Sequence, residues 1–196
     1  MPSRSLWSRA VVALAMALVP LFSNQVCADD LERIRTESDV LNTVMATALE
    51  RSVTFRSLVE RIERSDLIVY VTCSHFESVT LAGRTLLATA PPGVRYVRVQ
   101  ILCRQPQRAL VTIVAHELQH VVEIASTPEA VDDRSVRRLF SAIGFSTCQS
   151  PRSEQFETRA AWDTGERVRR EVVHYRGTNV LVRRPEGGRW QRKSGD

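Results

Sequence analysis

The sequence lacks internal repeats and low-complexity stretches, which favours one ordinary globular domain over a repeat array. Hydrophobic residues make up 43% and charged residues 25% of the 196 residues, values that are ordinary for globular proteins. Cysteine is scarce, at four residues, and none of them lies in a local catalytic signature, which disfavours a cysteine nucleophile. Composition therefore indicates a globular fold and leaves the function to be read from motifs.

The N-terminal apolar run, residues 11–22, is too short for a comfortable transmembrane span, and no stop-transfer flank follows it. Arg4 and Arg9 precede this run, and residues 26–28 offer a small-residue cleavage site. We therefore predict that residues 1–28 are a signal peptide and that the protein is exported, either to the periplasm or out of the cell. The alternative is a retained membrane anchor. After signal removal, no integral membrane segment is expected.

Removal of Cys27 with the signal peptide leaves three cysteines, an odd number for an oxidising compartment. Cys73 and Cys103 each close a strand-like segment, so neighbouring strands could bring them within bonding distance. The pairing among Cys73, Cys103 and Cys148 stays open at this stage, because connectivity does not follow from sequence. One thiol is expected to remain free.

The C-terminus is basic. Removal of the signal peptide lowers the formal net charge from +5 to +3, and residues 176–196 carry five arginines and one lysine against two acids. We predict a solvated, disordered tail over this range, with no specific nucleic acid as a partner. Contact with an acidic partner or an anionic lipid is the alternative. The folded domain is assigned to residues 29–175.

Helical and strand-like periodicities predict an α+β domain in which helices flank a small three-stranded antiparallel sheet. The first two helices are expected at 29–50 and from about residue 53 to the Ser65-Asp66 stop. The strands are expected at 67–71, 79–90 and 94–102. The last two strands form a hairpin across the turn at 91–93. The final three helices are expected at 108–124, within 128–143, and at 153–173.

The run His116-Glu117-Leu118-Gln119-His120 lies inside the helix predicted at 108–124. Two histidines four residues apart share one helix face and can reach one metal ion, while the glutamate lies beside the open coordination position. The rest of this helix is apolar nearly all round, which indicates burial. Buried imidazoles and carboxylates must be paired, hydrogen-bonded or metal-bound. The motif therefore predicts a metal site, and the alternative is a pair of hydrogen-bonded core histidines.

A catalytic zinc ion usually takes three protein ligands, so a third ligand is needed. Positions 123 and 126 are Glu and Ser, where a metzincin would place Gly and His, so that class is excluded. Glu157 is the best candidate, on the predicted helix at 153–173 and among small or apolar neighbours that indicate burial. The weaker candidates are Glu154, one turn away, and Asp163 and His174.

The run from Ile113 to Val121, followed by Glu157, resembles the gluzincin group of zinc metallopeptidases and, more loosely, small exported bacterial proteins of undefined function. The resemblance covers two predicted helices, about a quarter of the mature chain. It implies one zinc ion bound by His116, His120 and Glu157, with Glu117 as the general base.

One position departs from the gluzincin pattern. Ala161 stands where these enzymes often place an aspartate that hydrogen-bonds a ligand histidine. Either Glu123, Thr112 or a backbone carbonyl orients the imidazole instead, or the third ligand lies elsewhere. Glu123 lies one turn beyond His120 and is expected to orient a partner rather than to bind the metal.

The resemblance implies hydrolysis of peptide bonds in a peptide or protein substrate. The donor to the oxyanion stays open among Tyr96, His174 and Tyr175. The strand at 94–102 is expected at the sheet edge, where an extended peptide can add a strand, and its two arginines, at 95 and 98, are interpreted as protecting that edge from aggregation. The alternative function is a non-catalytic exported module that has a structural or vestigial metal site and a basic tail that binds an acidic partner.

Overall fold

The structure is a computed structural model that describes residues 31–36, 38–78, 80–88, 94–146 and 155–176. Within these ranges the chain forms five α-helices, a mixed four-stranded sheet and a two-stranded sheet, which confirms the α+β class. The predicted signal peptide, the tail beyond Arg176, Cys148, Glu154 and the turn at 91–93 lie outside the described residues. None of the described helices is both long and apolar enough to cross a membrane.

The elements follow one another in the order β1 (Ile34–Arg35), α1 (Asp39–Arg51), α2 (Val53–Glu63), β2 (Leu67–Cys73), β3 (Gly83–Ala88), β4 (Arg95–Ile101), α3 (Gln107–Ala125), α4 (Asp133–Ile143), β5 (Phe145–Ser146), β6 (Phe156–Glu157) and α5 (Arg159–Val173). The helices predicted second, third and fourth are confirmed as α2, α3 and α4. Side-chain caps fix several starts, because the first turn of a helix leaves backbone N–H groups without partners. At α2, for example, Ser52 Oγ accepts the backbone N–H of Phe55 at 2.9 Å.

Two helices begin later than predicted. The helix expected from Asp29 begins at Asp39, because Ile34 and Arg35 instead pair as a strand with β2. The helix expected from Ser153 begins at Arg159, because Thr158 Oγ1 accepts the backbone N–H of Ala161 and caps the first turn. Glu157 therefore lies in the short strand β6, and its predicted place on a helix is wrong.

The predicted three-stranded antiparallel sheet is also wrong. The sheet has four strands in the order β1-β2-β4-β3, and its β1–β2 and β2–β4 pairs are parallel. The predicted hairpin of β3 and β4 is confirmed as an antiparallel pair. Because β4 inserts between β2 and β3, the strand expected at the edge is interior, and the edge on that side is β3.

The core lies between the inner face of the sheet and the helices. The inward side chains of β2 and β4 from Leu67 to Val71 and from Val97 to Ile101 are at most 1% exposed. The central helix α3 is buried on nearly all sides, as predicted. Helix α5 runs antiparallel along α3, and Gly165 permits the close approach, because a Cβ there would lie 3.0 Å from the carbonyl oxygen of Thr112.

Arg95 ties the start of β4 to the end of α3. Its guanidinium is buried and pairs with both oxygens of Asp66, at 2.8 and 2.7 Å. Nη1 also donates to the carbonyl oxygens of Ile124, Thr127 and Ala130 at 2.9–3.1 Å, which lie in the last turn of α3 and in the loop that follows it. The predicted role of Arg95 in protecting a sheet edge is therefore wrong, since the side chain points into the core.

Cys73 and Cys103 form a disulfide, with their Cα atoms 5.4 Å apart. The two residues come together because β2 and β4 are neighbours in the sheet and end at the same side, at the pair Cys73 and Ile101. The pairing that the sequence left open is thus settled for these two cysteines.

Replacing Arg95 by methionine is expected to lower the free energy of unfolding by about 2–3 kcal/mol, since three carbonyl oxygens and the Asp66 carboxylate each lose a charged donor. Arg98→Met, on the exposed face of the same strand, should change it by less than about 0.5 kcal/mol. Urea unfolding measures the free energy of unfolding of both variants. Equal losses in the two variants would contradict this role.

The stability that the Arg95–Asp66 pair contributes depends on pH. The Arg95 hydrogen bond lowers the pKa of Asp66, so this contribution is present above the ordinary aspartate pKa and is lost as the pH falls through the lowered value.

Candidate metal centre

Two histidines of α3 and one glutamate of β6 converge on one point. His116 Nε2 lies 2.8 Å and His120 Nε2 lies 3.7 Å from Glu157 Oε2, and the ligand atoms of all three residues lie within 4.8 Å of one another. Ligand atoms about 2.0–2.1 Å from a tetrahedral zinc ion are about 3.3 Å apart, so these separations bracket the expected one. The structure thus brings the three predicted ligands together, and this group can hold a metal ion.

Local geometry explains the convergence. The histidines are four residues apart on one helix and therefore share a face. Glu157 reaches them from β6, which pairs with β5 through Phe145. Gly144, at the end of α4, lets this small sheet close, because a Cβ there would lie 2.5 Å from the carbonyl oxygen of Glu157.

The carboxylate of Glu157 fits a cation at this point. Its Oε2 atom is buried and accepts no well-aligned hydrogen bond from the described residues, although His116 Nε2 is only 2.8 Å away. A buried polar atom without such a bond is costly, and a cation shared with two imidazoles would satisfy it. Two imidazoles and one carboxylate are a donor set that catalytic zinc sites use.

The charges of the cluster are coupled. Burial alone would lower the pKa of His120, but its contacts with Glu123 and Glu157 raise that pKa to about 9. Burial alone would raise the pKa of Glu157, but the nearby rings of His116 and His120 lower it to about 2. A proton and a metal ion therefore compete for His120, as expected for a metal-ligating histidine.

Glu123 holds the second nitrogen of the His120 ring. Its Oε2 atom lies 2.8 Å from His120 Nδ1, and its Oε1 atom accepts a hydrogen bond of 2.7 Å from Thr158 Oγ1. The side chains of His120 and Glu123 are only 7% and 9% exposed, so this contact is shielded from water. A carboxylate in this position fixes the orientation of a ligand histidine. Glu123 thus makes the carboxylate–histidine contact that an aspartate at position 161 would make in a gluzincin, and that Ala161 cannot make.

Glu117 lies against the edge strand β3. Thr85 Oγ1 donates to Glu117 Oε2 at 2.8 Å, and a Cβ on Gly83 would lie 2.6 Å from Glu117 Oε1. Burial raises the pKa of Glu117, although the nearby His120 and His116 pull it downwards. The sequence did not predict that Gly83 and Thr85 belong to the site. A glycine that interrupts a strand pattern is the signal that could have indicated this close approach.

A cleft of about 420 Å³ opens above these groups. Its floor includes Glu117, His120 and Glu157, and its walls come from β3 on one side and from α4 and β6 on the other. Phe140 of α4 packs edge-on against the His120 ring, with the ring centroids 5.2 Å apart. The candidate metal centre is therefore reached from solvent along the edge of the sheet.

Other predicted residues lie elsewhere. His174 and Tyr175 follow the end of α5, at the opposite end of that helix from Glu157, and Tyr175 packs under the guanidinium of Arg51 at 5.7 Å. Tyr96 points to the outer face of the sheet and stacks on Tyr70. None of the three candidate oxyanion donors lines the described cleft. Their predicted role is not supported by their positions.

Thr112 and Asp163 also stay outside the cluster. Thr112 Oγ1 donates to the carbonyl oxygen of Arg108 one turn earlier, and in the described structure it bonds neither histidine. Asp163 is exposed on α5 and does not belong to the described group of ligands. Of the alternatives for orienting the imidazole, the structure therefore places Glu123 in contact with it.

Glu157→Gln is expected to weaken Zn²⁺ binding by more than about 100-fold, beyond the loss typical of residues that only orient a ligand. Competition with a chromophoric chelator measures this affinity. Glu154→Gln is the matched control, because it removes the same charge three residues earlier, and its affinity should stay within about twofold of the wild type. Equal losses in both variants would contradict Glu157 as a ligand.

Glu123→Ala is expected to lower Zn²⁺ affinity by about 10–100-fold, because His120 loses the carboxylate that fixes its ring. The same competition assay applies. Glu129→Ala, at an exposed position after α3, provides a control with the same change of charge. An unchanged affinity in Glu123→Ala would show that the ring needs no such support.

Comparisons of the chain with protein-family models, curated proteins and solved structures found no match. The chemistry of this protein is therefore inferred from the centre itself. That centre consists of two imidazoles and a carboxylate around one point, with a second carboxylate beside them in an open cleft.

Proposed function

We propose that this protein is an exported zinc-dependent metallopeptidase of the gluzincin type. One observation carries the proposal: the buried carboxylate of Glu117 lies in the same cleft as the convergent His120 and Glu157, directly under an edge strand. Export is supported by the signal-like residues 1–28 and by the Cys73–Cys103 disulfide, a bond that persists in oxidising compartments.

The residues divide the chemistry among them. His116, His120 and Glu157 would hold the zinc ion and leave a fourth position open. When bound, zinc supplies a Lewis acid that polarises a carbonyl group and brings the pKa of water towards about 7. Glu117 accepts the proton of the attacking water and returns it to the leaving amine. Burial raises the pKa of Glu117, which makes its carboxylate a stronger base for the first of these transfers.

The edge strand supports a peptide as the substrate. Among the described strands, β3 pairs only with β4, so its other edge presents backbone N–H and C=O groups towards the cleft. An extended peptide can pair with such an edge by adding a strand. Residues 83–88 contain no proline that would interrupt this pairing. β3, and not β4 as predicted from the sequence, is therefore the strand that a peptide substrate can join.

The alternative was a non-catalytic module with a structural or vestigial metal site. One of its motives is Ala161, which leaves a ligand histidine without the aspartate that gluzincins often place there. Glu123 contacts that ring from within α3, and Thr158 holds Glu123 in turn. The alanine at position 161 is therefore no argument for a vestigial site. Peptide hydrolysis is the function that the geometry supports best.

Glu117→Gln is expected to lower peptidase activity by about 10²–10⁴-fold, because the variant cannot accept the proton of water. Its Zn²⁺ content should stay near one ion per chain. Activity is measured by mass spectrometry on a library of peptides from a digested proteome, with the zinc-loaded mature chain.

Glu129→Gln, at an exposed residue that does not line the cleft, is the matched control and should keep full activity. Cleavage by wild type that survives in Glu117→Gln would contradict the role of the base. A zinc-loaded wild type that cleaves no peptide in the library would contradict the proposed function.

A further inference from the structure

The outer face of the four-stranded sheet carries no helix of the described chain. The helices pack on the inner face, where the strand side chains are buried with them in one core. Strand register places ten side chains on the outer face, namely Arg35, Ile68, Tyr70, Thr72, Arg84, Leu86, Ala88, Tyr96, Arg98 and Gln100. We call these ten residues the outer sheet face. Tyr70 is 39% and Leu86 42% exposed, so large apolar surface there meets water.

The charged residues of the outer sheet face are all positive. It holds three arginines and none of its ten positions is Asp, Glu or Lys. Arg35 lies over the ring of Tyr70 at 5.8 Å, and Arg84 lies over Phe76 at 5.5 Å and donates to Gln100 Oε1 at 2.6 Å. Aromatic rings and neutral oxygens, rather than carboxylates, contact these two guanidinium groups. Their charge is therefore not neutralised within the described face.

Arg98 is at the centre of this face and is exposed. Register aligns Arg35, Tyr70, Arg98 and Leu86 in one row across the four strands. At about 4.8 Å between strands, the row is about 14 Å long. Among the described residues, Arg98 has no hydrogen-bond or ion-pair partner, so its five donors are available to a ligand.

The composition of the row indicates a protein ligand. Tyrosine and arginine are enriched in the centres of protein interfaces, whereas lysine and the acids are depleted there. A nucleic acid would need free ring faces on which bases stack. Here the Tyr70 ring is already in contact with Arg35 and with Tyr96, whose ring centroid lies 6.4 Å away.

We propose that the outer sheet face binds an acidic segment of a partner protein. Its carboxylates pair with Arg98, Arg35 and Arg84, and its apolar side chains pack on Tyr70 and Leu86. Charge complementarity selects this partner, because the face offers guanidinium donors without an internal acceptor carboxylate. Arg84 and Leu86, on the edge strand, also border the cleft of the metal centre, whereas Arg35, Tyr70 and Arg98 do not. Binding through Arg98 therefore requires neither zinc nor hydrolysis.

The test measures binding of a fluorescein-labelled peptide of Glu-Glu-Leu repeats to the full chain by fluorescence anisotropy. We expect saturable binding that weakens as the salt concentration rises. Arg98→Glu should lower the affinity by about tenfold or more. Arg108→Glu, in the first turn of α3 on the other side of the sheet, changes the net charge equally and should lower it by less than about twofold.

Three further variants keep the outcome decisive. Arg98→Gln removes the charge without reversing it and should lower the affinity about threefold or more, with an unchanged melting temperature as evidence of folding. Arg183→Glu tests the basic tail and should have less than about a twofold effect. His116→Ala should bind the peptide like wild type, which separates this surface from the proposed peptidase.

Several results would overturn the proposal. Failure of the peptide to bind would do so, as would equal losses in Arg98→Glu and Arg108→Glu, which would show only an effect of net charge. A loss confined to Arg183→Glu would move the binding to the tail. Tighter binding of a single-stranded DNA oligonucleotide or of heparin through Arg98 would assign the face to a different class of polyanion.

Discussion

Helix α3 buries charged and polar side chains inside the molecule, where each of them needs a partner, and the neighbouring elements are arranged to supply these partners. Thr85 of the edge strand bonds Glu117, Glu157 of β6 meets both histidines, and Glu123 bonds His120. The partners come from elements up to about forty residues away in the chain. The centre therefore exists only when the whole domain is assembled, which is how proteins hold reactive groups in fixed geometry.

The same helix is fixed along its length as well as at its site. Arg95 of β4 donates to the carbonyl oxygen of Ile124 in its last turn, and Gly165 lets α5 lie directly against Thr112 in its first half. Close packing on one side and hydrogen bonds at one end leave little freedom for the helix to turn about its axis. The directions of the two imidazoles are thereby set by the scaffold before any ligand arrives.

Local periodicity predicted the helices around the motif, because residues four apart on a helix have a fixed relation. It also indicated Glu157 but placed it on a helix, since a single threonine cap at Thr158 decides where α5 begins. Sheet order was missed because strand pairing is a long-range choice that alternation does not encode. Arg95 is two residues before the buried Val97, so strand alternation could have predicted that its side chain points inward. Its partner Asp66 lies 29 residues earlier, and local periodicity does not indicate that pairing.

Thr158 uses one hydroxyl group twice. Its oxygen accepts the backbone N–H of Ala161 and its hydrogen is donated to Glu123. The first turn of α5 and the orientation of the His120 ring therefore depend on the same hydroxyl group. An ion that holds His120 and Glu123 in place also stabilises this cap, so slower amide hydrogen exchange in the first turn of α5 reports on the occupancy of the centre.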